Sequence, residues 1–223
     1  MEIKKIVELR SPDGQWVLEK KLNSGASCIE VTLMKLSKIY ELAAKNQALY
    51  AYTSLSRLVG LMEKTKHSLS QLINEFEIVI LQQKVDLSTI RITEGKLYEV
   101  RIGQPICAEL ITLIEMYDHL NCLIKIADKL NLFKKRSHFF KTLSRNHRRI
   151  MGVIARIMKF DEVKMAKVSI AQYLERTDEY VKIAQILGEI KPKMLHAALH
   201  IDMLPRLSAK ARNIIINKLK DKE

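Results

Sequence analysis

From Pro105 to Leu130 the side chains Ile106, Leu110, Leu113, Tyr117, Leu120, Ile124, Ala127 and Leu130 keep a spacing of three or four without a break. Only an α-helix of about seven turns aligns such a series in one stripe, because a strand changes face at every residue. A stripe of that length must be covered, so other elements have to pack along it. Residues 30–83 offer similar stripes. Leu33, Leu36, Ile39, Tyr40 and Ala43 share one face, and Tyr50, Leu55, Leu58, Val59 and Met62 a second. Leu69, Leu72, Ile73, Phe76, Val79 and Ile80 make a third, which predicts a helical scaffold in three pieces. Only 7 glycines and 4 prolines argue against a turn-rich β-sandwich and for long helices. The expectation is a mainly α fold, a helical bundle with short β-ribbons.

Two segments alternate with a period of two instead. At the N-terminus "IKKIVELR" and "QWVLEKK" flank "SPDG", whose Pro and Gly suit a type I turn. This predicts a β-hairpin over residues 1–24, followed by a flexible break at "LNSGAS". Further on, in "DLSTIRITEGKLYEVRIGQP", Ile90 and Ile92 alternate with Thr89, Arg91 and Thr93, and Tyr98, Val100 and Ile102 with Leu97, Glu99 and Arg101. A second ribbon is predicted there, showing Thr89, Arg91, Thr93, Glu99 and Arg101 on its outer face. Beyond Phe160, helical stretches over roughly 164–188 and 193–220 are divided by "GEIKP", with a bend at Pro205. The expected division is a hairpin at 1–24, a helical scaffold at 25–87, a ribbon-helix-helix-like region at 88–160 and C-terminal helices at 161–223.

Charge is concentrated in one place. The chain has 38 Lys+Arg against 25 Asp+Glu, a net +13. "KKRSHFFKTLSRNHRRIMGVIARIMK", residues 134–159, holds nine of those cations and no carboxylate. Over residues 137–159 Phe140, Leu143, His147, Ile150, Ile154 and Ile157 recur at helical spacing and form an apolar seam that requires a protein neighbour. Lys141, Arg145, Arg148, Arg149, Arg156 and Lys159 fall on the adjoining flank, with Gly152 among them. Like charges at i, i+4 repel by a few tenths of a kcal/mol per pair, and no local acid offsets them. Lys134, Lys135 and Arg136 also stand at the helix N-terminus, where cations oppose the macrodipole and a phosphate would be welcome; Ser137 can cap that helix. The pattern points to nucleic acid rather than a solvated face or a membrane surface. Few aromatics (6%) argue against base stacking on RNA and for double-stranded DNA. Arg91 and Arg101 would reach guanine edges while the basic helix holds phosphates.

Other chemistry is not signalled. No Gly-rich phosphate loop, G-x-S-x-G, H-E-x-x-H or C-x-x-C is present. His196, His200 and Asp202 fall short of the ligand set of a zinc site, and Asp118–His119 reads as a helix-packing pair. No cofactor, metal or small-molecule substrate is expected, and the protein is expected not to be an enzyme. Cys28, Cys107 and Cys122 are odd in number and show no metal-like spacing, and "MEIKKIVELRS" lacks a signal-peptide pattern. With no membrane-length apolar run, the expectation is a soluble, cytoplasmic, nucleoid-associated protein.

The order "LYEVRIGQP", then "ICAELITLIEMYDHLNCLIKIADKLNL", then "FKKRSHFFKTLSRNHRRI" resembles the AcaB-like transcriptional regulators of conjugative plasmids and integrative conjugative elements. The likeness spans roughly residues 30–160: a strand ending in a proline, a helix with an Asp in "YDHL", an aliphatic stretch and a basic helix. It implies a ribbon-helix-helix-related homodimer that binds DNA and regulates transfer genes. Placed on this chain, it marks Glu99 and Arg101 of the ribbon and Lys134, Lys135, Arg136 and Ser137. The chain departs from a minimal ribbon-helix-helix in the length of the helix after Pro105. The other function weighed is an adaptor, without catalysis, for an acidic component of a conjugation or secretion system.

Overall fold

The computed structural model describes residues 3–45, 48–84, 94–160 and 168–220. In chain order these form β1 (Ile3–Leu9), α1 (Pro12–Glu19), α2 (Cys28–Lys45), α3 (Leu49–Leu81), β2 (Lys96–Ile102), α4 (Pro105–Lys129) and α5 (Arg136–Met158). The helices α6 (Ile170–Glu175), α7 (Asp178–Leu187), α8 (Pro192–Ala198) and α9 (Ala209–Lys220) follow. The fold is mainly α with one two-stranded antiparallel sheet. Two compact units are built, one from Met1–Leu33 with Leu61–Met158 and the other from Met34–Gly60 with Lys159–Glu223. α2 and α3 each contribute to both units, so the helical scaffold over 25–87 is not a unit of its own.

The first unit is organised around α4. Fifteen of its 25 residues are buried, which requires neighbours on several sides. Pro105 opens it at a position where the missing N–H costs nothing. β1 pairs with β2, Ile3 opposite Ile102 and Leu9 opposite Lys96. Val7, Leu9, Val100 and Ile102 on the ribbon's inner face are buried, and Lys5 of that face bonds Glu115 of α4 at 2.6 Å. Burying each of those four stabilises by about 1.5–3 kcal/mol, which an isolated two-stranded ribbon would lack.

The hairpin expected over residues 1–24 does not form. Ser11 is the N-cap of α1, its hydroxyl accepting from Gly14 N–H at 2.9 Å, and Pro12 occupies the first turn. "SPDG" serves a helix start as well as a turn, and here tertiary contacts decide. The buried Asp118 carboxylate on α4 accepts from Arg10 N–H (2.9 Å), Ser11 N–H (2.7 Å) and Ser11 Oγ–H (2.6 Å). A side chain at position 14 would collide with it, since a Cβ there lies 2.2 Å from Asp118 Oδ1. "LNSGAS" is ordered, too: Leu22 N–H bonds Ala26 C=O at 2.9 Å and Gly25 takes φ +81°.

α3 completes this unit along α4. Lys66 pairs with Glu109 at 2.8 Å and Glu77 with His119 at 3.1 Å, while Ile80 packs with Leu123, Ile126 and Ala127. His119 and Asp118 therefore serve different partners and form no dyad. All three cysteines are buried, and burial pushes the Cys122 thiol up to about 11. We expect none of the three to react with a thiol-specific disulfide reagent in the folded protein and all three in denaturant. Rapid native labelling of any one would contradict this packing.

In the second unit α2 and α3 contribute one helical segment each, two helices where the sequence predicted three pieces across 30–83. Tyr50 Oη–H donates to Gly188 C=O at 2.8 Å and Tyr52 Oη–H to Ala198 C=O at 3.2 Å. The two C-terminal helices predicted from spacing are four. Arg176 ends α6 at φ +50° and Thr177 caps α7, while the segment around Pro205 is non-helical rather than a bend. His196 and His200 stack edge to face, 5.0 Å between ring centroids. Among the described residues no group of three or more His, Cys, Asp and Glu could hold a metal.

Candidate nucleic-acid interface

α5 carries the cations on a helix with one firmly packed side. Phe139, Asn146, Ile150, Val153, Ile154 and Ile157 are buried. Tyr117 of α4 meets His147 with Oη and Nδ1 3.1 Å apart, and Trp16 of α1 lies 5.1 Å from the same imidazole between centroids. Burial raises the Tyr117 hydroxyl to about 12, which keeps it protonated as a bonding partner. The expected seam is thus correct from His147 onward, but it begins at Phe139. Phe140 is 55% exposed. Two adjacent phenylalanines stand about 100° apart on a helix, and spacing alone did not show which one faces the core.

Opposite the buried side lie Lys141, Arg145 and Arg148, all exposed, with Arg149 half-buried at the edge. The basic face is therefore opposed to the core rather than beside it. Arg148 Nη2 donates to Ser144 Oγ at 3.2 Å, and Arg149 Nη1 to the buried Asn146 Oδ1 at 3.1 Å. Among the described residues no carboxylate pairs with these four cations, although Lys4, Lys5, Lys66 and Lys125 all have acidic partners. Phe140, Lys141, Ser144, Arg145, Arg148 and Arg149 line one open groove of about 580 Å³. Four uncompensated cations around a groove attract a polyanion, and they hold it more firmly where the guanidiniums are already oriented.

The remaining predicted residues are not brought into this groove. Lys134 and Lys135 are exposed just before α5, and Arg136 is its first residue. Ser137 lies exposed inside the first turn instead of capping it. Glu99 and Arg101 stand on the ribbon's outer face, opposite Ile6 and Lys4 respectively. Lys4 bonds Glu99 at 2.8 Å and holds that carboxyl below its ordinary range. Arg91, with Thr89 and Thr93, lies outside the described residues. Sequence alone places Lys4 and Ile6 on a separate N-terminal hairpin, whereas β1 pairs with β2 and sets them beside Arg101 and Glu99. The sequence reading also missed Ser144 and Phe140 as groove residues; Ser144 repeats at i+3 and i+4 from Lys141 and Phe140, which was the available signal.

No family model matches the chain, and no curated sequence matches it. Among solved structures, its fold is similar to that of AcaB from uropathogenic E. coli, crystallised in selenomethionine-containing form. The TM-score is 0.57 at 14% sequence identity, covering 90% of this chain and 97% of that one. The likeness is one of fold. Among the described residues, no helix is long and apolar enough to cross a membrane.

Proposed function

We propose that this chain is a non-catalytic, DNA-binding transcriptional regulator of a mobile genetic element, acting as a homodimer on conjugative-transfer genes. The observation that carries the reading is the α5 groove, where Lys141, Arg145, Arg148 and Arg149 converge without an acidic partner among the described residues. The similarity of fold to AcaB and the resemblance to AcaB-like regulators support it. In this account α5 supplies affinity by neutralising phosphates, a term indifferent to sequence. Specificity comes from the ribbon, whose outer face presents Lys4, Ile6, Glu99 and Arg101 and has the width to enter a major groove. Lys134, Lys135 and Arg136 would hold a flanking phosphate. One chain supplies both strands of this ribbon, so a dimer would present two ribbons to two half-sites.

Selection of random duplexes by the purified protein at physiological salt tests the reading. Enrichment of a palindromic site is the expected result; recovery of no DNA, together with salt-sensitive binding to an acidic protein, would favour the adaptor function instead. In the same selection Arg101→Ala should relax preference at one position, costing about 1–3 kcal/mol for the best site while leaving other sites unchanged. An enriched site identical to that of the parent protein would remove Arg101 from the readout.

A further inference from the structure

Phe140 does not fit a surface that touches only phosphates. Its ring is 55% exposed on the wall of a groove otherwise made of Lys141, Ser144, Arg145, Arg148 and Arg149. Nor is it a loose side chain. It meets Phe139 edge to face at 5.1 Å between centroids, Phe139 meets Phe133 at 5.7 Å, and Phe133 meets Phe76 at 6.0 Å. A line of four rings thus runs from the α3–α4 packing to the surface and fixes the last of them in place. In an intact duplex the base faces are stacked on one another, and an aromatic ring at the backbone would find no π-face. An unstacked base offers that face, and its two phosphates offer the charge for which Arg145, Arg148 and Arg149 are arranged.

We propose that the α5 groove receives an unstacked DNA base against Phe140, with Lys141, Arg145, Arg148 and Arg149 holding its phosphates. This rests on the DNA-binding reading and specifies the form of DNA that α5 engages. The test compares a perfect duplex with the same duplex carrying one bulged 2-aminopurine, using anisotropy for affinity and base fluorescence for stacking. The protein should bind the bulged duplex about tenfold more tightly and quench the 2-aminopurine. Phe140→Ala should bind both duplexes with the affinity the parent protein has for the perfect one. Phe140→Leu, which keeps the apolar contact with Phe139 but has no π-face, should do the same. Equal binding of the two duplexes by the parent protein, or a preference that survives both substitutions, would overturn the stacking site and leave the DNA reading intact. Failure to bind either duplex would overturn both.

Discussion

Asp118→Ala is expected to lower the unfolding free energy by about 2–4 kcal/mol, seen as a fall in the urea midpoint. The carboxylate is 5% exposed and is the acceptor for Arg10 N–H, Ser11 N–H and Ser11 Oγ–H. Removing it leaves those buried donors without a partner, which costs more than the bonds contribute. It also frees the cap of α1, so the junction between the ribbon and that helix loses its attachment to α4. Asp118→Asn should recover only part of the loss, because an amide offers one oxygen where the carboxylate offers two, and its NH₂ opposes the donors facing it. His119→Ala, next in sequence but exposed and paired with Glu77, should cost less than about 0.5 kcal/mol. A loss below about 1 kcal/mol for Asp118→Ala would contradict the role of this clamp.

Replacing Lys141, Arg145, Arg148 and Arg149 together with glutamine should be the most damaging change to DNA binding. Four phosphate contacts at about 0.9 each predict that the salt slope becomes shallower by roughly 3.6. At physiological salt the same relation predicts a loss of roughly a thousandfold in affinity for any duplex. Stability should hold or rise slightly, since the variant removes i, i+4 repulsions between Lys141 and Arg145 and between Arg145 and Arg149. Parallel titration and denaturation separate the two effects. A variant that is equally stable and binds as tightly as the parent protein would dismiss α5 as the DNA-contacting surface.

Local signals were read well where one element's pattern was enough. The spacing from Ile106 to Leu130 gave α4 almost to its ends, and the Phe160-side half of the α5 seam was right in phase. What failed depended on distant parts of the chain. β1 finds its partner about ninety residues away in β2, and nothing in "IKKIVELR" distinguishes that from the nearer alternative. Ser11-Pro12 is compatible with a turn and with a helix start, and the choice is made by Asp118, 107 residues on. The groove was half legible: its cations were plain from composition, while the exposure of Phe140 followed from Phe139 being taken into the core.

The central claim is most directly tested by measuring binding of the full-length protein to a labelled duplex across a range of salt concentrations. A linear fall of log K against log salt, with a slope near −4 or steeper, is the predicted result for the four α5 cations alone or with the ribbon. No measurable affinity even at the lowest salt, or an affinity indifferent to salt, would contradict it.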